Sequence, residues 1–332
     1  HLIVHGDIQV GQNVEFNGLD PNNLMVLNPY SQTTVIQNSQ FKNALIKGGA
    51  ENLTIDDCEL NRTSVIYKSG ASLTMKNSNI NKGFIHVLKP GWRCSDVTIQ
   101  NNYIENITYE PAVSIEGYPS LSVENNEIDF RHGTGLSVWY SGSACYQREI
   151  VDNKIKMQGS SSDTTYGIYL QRSNVIVENN HITDAKCGIL SGDNSHVSVI
   201  GNSNAGSESE TQRIVDNTYH QVKATANSFP YNFEYNAIYG SGSPYVYYTG
   251  SDSPLDVENN YWGGDNDPDL YPAGAYDYEP TWNPGWGQKS AQTQDEALAW
   301  YQQALDYIAN ESYTEAVTKL KEIVNQYPQP QK

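Results

Sequence analysis

The sequence predicts an all-β parallel solenoid of about ten coils over residues 1–265, followed by a short C-terminal α-helical hairpin. Three observations carry this expectation. A six-residue pattern recurs along most of the chain, its recurrences are spaced by about one solenoid coil, and the periodicity becomes helical after residue 294.

The pattern reads apolar, any, Asn or Asp, Asn or another small or polar residue, any, apolar. Val123-Glu124-Asn125-Asn126-Glu127-Ile128 is its clearest instance, and residues 36–41, 55–60, 75–80, 99–104, 150–155, 177–182, 214–219, 233–238 and 257–262 repeat it. Tyr235 is the one aromatic residue in the third position. That position advances by 19, 20, 24, 24, 27, 27, 37, 19 and 24 residues. Steps of about 20–25 residues are single coils, and longer ones are coils with an inserted loop. The 37-residue step accommodates an irregular coil through Val199-Ile200-Gly201-Asn202, followed by a polar insertion over residues 203–212.

In such a solenoid each coil contributes short strands that pair with the coils above and below, about 4.8 Å away. Leu121 and Val123, with Ile128 beyond the bend, are expected to face inward and stack with their counterparts. Between Val123 and Ile128 the chain must turn, and Asn tolerates the left-handed backbone of a tight bend. Stacked Asn amides can also satisfy one another where burial would otherwise be costly.

These residues resemble the right-handed parallel β-helix repeats of the pectin-lyase-like superfamily, over roughly residues 1–265. Asn259-Asn260-Tyr261-Trp262-Gly263-Gly264 is similar to the sequence that often closes such helices in secreted bacterial surface proteins. The resemblance implies that the Tyr-Trp pair covers the last coil, as solenoid ends require.

Residues 266–294 form an irregular Pro-, Gly- and Trp-containing cap and linker. Beyond them, Ala297, Trp300, Tyr301, Ala304, Leu305 and Ile308 recur at helical spacing, as do Tyr313, Ala316, Val317, Leu320, Ile323 and Val324. The second set resembles the latter half of a tetratricopeptide repeat, so residues 295–332 read as an incomplete hairpin of that kind.

Composition narrows the function. The 332 residues carry a formal net charge of −18, which disfavours nucleic acid, since phosphate contacts need clustered Lys and Arg. No apolar run is long enough for a membrane span. The four cysteines, Cys58, Cys94, Cys145 and Cys187, are too few and too dispersed for a disulfide framework, and no CxxC pair suggests zinc. His1 in place of Met suggests a mature or excised segment with an extracellular or cell-surface address.

The resemblance also implies two enzymatic alternatives. Asp56-Asp57 resembles one motif of polygalacturonase-like hydrolases. His132-Gly133 lies about three coils away, however, too far for two groups that must flank one glycosidic bond. A lyase would need a base beside a uronate carboxyl, and Asp152, Lys154, Arg172 and His181 are the candidate set, with Asp184 and Lys186 close in sequence. Ca²⁺ is the only cofactor the sequence suggests, through the alternating carboxylates Asp265, Asp267 and Asp269, which lack the remainder of an EF-hand loop.

Aligning coils on Ile99, Val123 and Ile150 places Trp92, Tyr118, Trp139, Tyr140 and Tyr146 along one expected edge, where aromatic rings could stack on sugars. Cys94 and Cys145 fall at matching slots two coils apart, beyond the roughly 7 Å that a disulfide tolerates. The favoured expectation is a non-enzymatic surface module that binds a polysaccharide or a surface protein, or self-associates. The alternative is a polysaccharide lyase acting on an acidic polymer.

Overall fold

The computed structural model describes the backbone of four short segments before residue 30 and most of residues 33–282 in full. Residues 283–332, which include the expected hairpin, lie outside the described residues, as do 89–95, 118–119, 140–147, 160–164, 206–209, 251–254 and 264–267 among shorter stretches. The chain divides into a unit His1–Trp282 and a unit Asn283–Lys332.

The first unit is a parallel β-solenoid. Its strands fall into three sheets of twelve, ten and ten, joining every third strand of the chain until the last step of the first sheet, which takes the second strand on, and a two-stranded sheet completes the set. One coil runs through Val113–Glu116 in the first sheet, Ser120–Glu124 in the second and Glu127–Phe130 in the third, then returns to the first at Thr134–Trp139. About eight regular turns make up the body. No α-helix occurs among the described residues, and none of their segments could cross a membrane as a helix. The first sheet runs on past residue 265, because Leu270–Tyr271 pairs with Val246–Tyr248.

Alternation within each short strand builds the core. In the first sheet Ile85, Val113, Leu136, Ile168, Ile189 and Val222 occupy one register position and are fully buried. Leu121, Val123 and Ile128 face inward as their alternation predicts. Because most inward residues pack between like residues of two neighbouring coils, the interior is a set of aliphatic columns rather than a central cluster.

The bend between the second and third sheets explains the repeat. Asn38, Asp57, Asn77, Asn101, Asn125, Asp152, Asn179, Tyr235 and Asn259 all have φ between 48° and 57°. The residue after each is buried and forms a ladder. The Asn126 amide nitrogen donates to Asn153 Oδ1 at 2.9 Å, and Asn153 donates likewise to Asn180 Oδ1 at 2.9 Å. Each of these side chains also donates to a carbonyl of the preceding coil, as Asn153 does to Val123 at 2.8 Å. Ser39, Cys58 and Ser78 hold the same slot in the earlier coils. Cys58 and Cys187 are free and buried. Cys94 and Cys145 lie outside the described residues.

One of the ten matches is out of register. Residues 214–219 do not form this bend, because Arg213–Val215 belongs to the third sheet and Asp216-Asn217 turns the chain back towards the first. The missing bend is the irregular coil through Val199, where Gly201 stands in the bend position and the insertion follows. Gln212 substitutes for the ladder residue by accepting the Asn180 backbone N–H at 2.5 Å. A side chain at Gly201 would overlap the Tyr235 carbonyl, a Cβ falling 1.7 Å from its oxygen.

At the C-terminal end Trp262 is buried and Tyr261 bridges Ala237, so the indole follows Ile238 in the inward column. Asn260 extends the ladder by accepting from the Asn236 amide at 2.9 Å. Trp282 then caps this corner, donating its backbone N–H to the Asn260 carbonyl at 3.0 Å and setting its ring edge-on to Tyr235.

Candidate functional site

Three outward surfaces carry the chemistry-bearing residues. The first is the outer side of the third sheet, where side chains at alternate positions form two rows. One row runs Tyr103, Glu127, Lys154, His181, Arg213, and the other Glu105, Asp129, Lys156, Thr183, Val215. Acidic side chains therefore occupy the two coils before the Glu127–Lys154 junction and basic ones the coils after it, with Lys42 further back in the second row. At the junction Lys154 pairs with Glu127 at 2.7 Å, and Lys156 pairs with Asp184 at 3.7 Å.

The expected catalytic set is only partly brought together. Lys154 and His181 are register neighbours on this face. Asp152 sits at the bend beside it with a left-handed backbone, exposed to solvent. Arg172 does not join them. It lies between Tyr166–Gln171 of the first sheet and Asn174–Glu178 of the second, at a different corner of the coil. Burial, reinforced by the positive charges of Arg213, Lys154 and Lys156, pushes the His181 imidazole down to about 4, against the opposing influence of Asp184. The ring is therefore neutral near pH 7 and a weak proton acceptor. Its Nε2 is buried without a hydrogen-bond partner.

The linkage follows from that depression. Unfolded, His181 would protonate near its ordinary value of 6.5. Folded, it resists protonation until about 4, so its neutral burial costs nothing above 6.5 and destabilises the fold as pH falls from 6.5 towards 4. An NMR titration should place its midpoint near 4, whereas a midpoint near 6.5 would show the ring to be solvated.

Arg213 was not singled out from sequence, although it completes the basic row. The signal that would have found it is the register of the irregular coil: reading 214–219 as the bend moves Arg213 off the third sheet, whereas the bend at Gly201 places it beside His181.

The second surface is the first corner, between the first and second sheets. Of the five expected edge aromatics, Trp139 is described. It ends Thr134–Trp139 next to Glu116 and Gln171 and is 38 % exposed. Trp92, Tyr118, Tyr140 and Tyr146 lie outside the described residues. The strands flanking them are stacked in register, Leu88 with Glu116 and Glu116 with Trp139 before the corner, then Val97 with Leu121 and Leu121 with Arg148 after it. Residues 89–95, 117–119 and 140–147 separate those strands in turn, and Arg172 and Ser173 do so in the next coil. Arg148 occupies an inward position in line with Leu121 and is buried, and this desolvation lowers its pKa.

The third surface is the later half of the first sheet's outer side. His220 stacks on Tyr247, Tyr247 stacks on Tyr271 with centroids 4.8 Å apart, and the Lys223 ammonium sits 5.4 Å from the Tyr247 centroid. These rings cover one another's faces along the solenoid axis, so they brace successive coils. Of the expected calcium ligands, Asp265 and Asp267 lie outside the described residues. Asp269 is exposed, with its carboxylate accepting a hydrogen bond from the Ser243 hydroxyl. Among the described residues no group of three or more metal-ligating side chains converges.

The comparisons agree with the architecture. No curated protein and no solved structure was found to match the chain. The family described as "Right handed beta helix region" matches residues 12–155 and 43–204, overlapping segments that together span more than half of the chain. The inward columns and the Asn ladder run through the same residues, and the chain belongs to the right-handed β-helix family.

Proposed function

We propose that this β-helix is a non-enzymatic recognition module of an extracellular or cell-surface protein, which engages a polysaccharide or a surface protein at the first corner around Trp139. The observation that carries this reading is the exposure of Trp139 at the end of its strand, where residues 140–147 make a long connection to the second sheet. A rigid solenoid placing a solvent-facing indole beside a long connection combines a preorganised scaffold with an aromatic contact. The pectin-lyase-like kinship and the bacterial surface setting belong to the same reading, supported by the closing Asn259-Asn260-Tyr261-Trp262.

The lyase alternative has less support. Arg172 is at another corner from Lys154, Lys154 is ion-paired with Glu127, and His181 is too weak a base to remove a proton α to a carboxylate efficiently.

A screen of acidic and neutral polysaccharides, with and without Ca²⁺, tests the two together by following binding and the ultraviolet absorbance of unsaturated product. Binding without product, weakened roughly tenfold or more by Trp139→Ala, is expected. Loss of one central aromatic contact commonly costs 1 kcal/mol or more, about this size of change. Product that disappears in Lys154→Ala would overturn the reading in favour of a lyase.

A further inference from the structure

We propose that the outer face of the third sheet pairs with the same face of a second copy of this chain, the two solenoids running antiparallel. The observation is the charge division of that face. Glu105, Glu127 and Asp129 lie on two consecutive coils, and Lys154, Lys156 and Arg213 lie on the coils that follow, all at outward positions of one register.

A two-fold axis parallel to the strands, between Glu127–Phe130 and Lys154–Met157, leaves the two rows in place and reverses the order of the coils. It sets Glu127 opposite Lys154 of the second copy and Asp129 opposite Lys156 of the second copy. Both contacts recur by symmetry, which gives four ion pairs across the centre. Tyr103 then falls opposite His181 of the second copy, so the uncharged imidazole meets a phenol rather than another cation. Parallel stacking of the same faces would set acid against acid, and the geometry selects against it.

The chain's net charge of −18 makes two copies repel in most orientations. This face is where basic side chains can meet acidic ones, so the repulsion itself favours the antiparallel arrangement. Within one chain, Lys154 already contacts Glu127 and both remain about half exposed, so pairing extends an existing contact into an alternating network. Exposed ion pairs contribute little singly, and a narrow polar face makes a weak, reversible dimer.

The test is a charge swap on the full chain. K154E/K156E places acidic side chains at all four central positions, and E127K/D129K places basic ones there. All four positions point outward, and circular dichroism would check that the fold is kept. Sedimentation velocity over a range of concentrations should show dimer for the unaltered chain, monomer for each variant alone, and dimer again in their equimolar mixture. Non-specific association predicts something else: E127K/D129K, four charge units less negative, would self-associate more than the unaltered chain. That outcome, a mixture that stays monomeric, or an unaltered chain that is monomeric throughout would each overturn the proposal.

Discussion

Trp262→Ala is expected to lower the unfolding free energy by about 3–5 kcal/mol, the range for truncating a large buried aromatic. Trp262 is the largest fully buried side chain of the described residues, and it fills the column below Ile238 where the regular repeat stops. Its removal leaves a cavity at the last position of this inward column among the described residues. In a solenoid each coil is held mainly by its neighbours, so the loss should appear as fraying from this end. Hydrogen exchange should quicken first in Val246–Tyr248 and Asn232–Glu234, and only weakly around Val113–Glu116. Trp262→Phe should retain most of the stability, because the indole N–H has no hydrogen-bond partner to lose. Uniform loss of protection along the whole stack would contradict a local cap.

Asn153→Ala is expected to cost about 2–4 kcal/mol from the middle of the stack, and to loosen coils on both sides. Asn153 Oδ1 accepts the backbone N–H of Asn126 at 3.0 Å and its amide at 2.9 Å, while the Asn153 amide donates to Val123 O at 2.8 Å and to Asn180 Oδ1 at 2.9 Å. Alanine would strand at least two buried polar groups, each costing roughly 1–3 kcal/mol when unsatisfied, with partial relief from remaining partners. Asp152→Ala, one residue earlier, removes no ladder hydrogen bond. Its cost should be the smaller one of placing a non-Asn, non-Gly side chain at φ 56°. Denaturant midpoints for the pair separate the two roles that adjacent polar residues play at the bend. Equal losses would refute the division of labour.

The repeat could be read without coordinates because its chemistry is local. A residue that must take a left-handed turn and a residue that must bury an amide are nearly confined to Asn, Asp, Gly and Ser, so Asn125-Asn126 and Asn179-Asn180 announce the same bend wherever they occur. The same locality caused the misreading at 214–219. Asp216 has φ 56° and Asn217 is buried and hydrogen-bonded, so another corner of the coil satisfies the same two demands with the same residue types. Pattern identifies a tight turn with a buried amide, but it does not say which of the three corners is turning.

The face chemistry was less legible. Lys154 and His181 were near in the pattern and proved to be register neighbours, whereas Arg172, placed with them by coil spacing, belongs to the corner between the first and second sheets. Outward residues carry no constraint on identity, and their grouping depends on the lengths of the connections between strands, which vary from one residue upward. The stacking of His220, Tyr247 and Tyr271 depends on pairing between residues 24 or more apart, and nothing in their local sequence marks it.

By itself the sequence determined that this chain coils in parallel with inward aliphatic columns and Asn-lined bends, since burial alternation and left-handed turns restrict which residues can stand at each position. The tertiary structure alone decided how the coils are phased: that Gly201 rather than Asp216 makes the eighth bend, that Arg213 therefore joins Lys154 and His181, and that acid and base divide one face between them. Those relations arise from strand register between coils, set by hydrogen bonds across about 4.8 Å and by insertions whose length the core does not constrain.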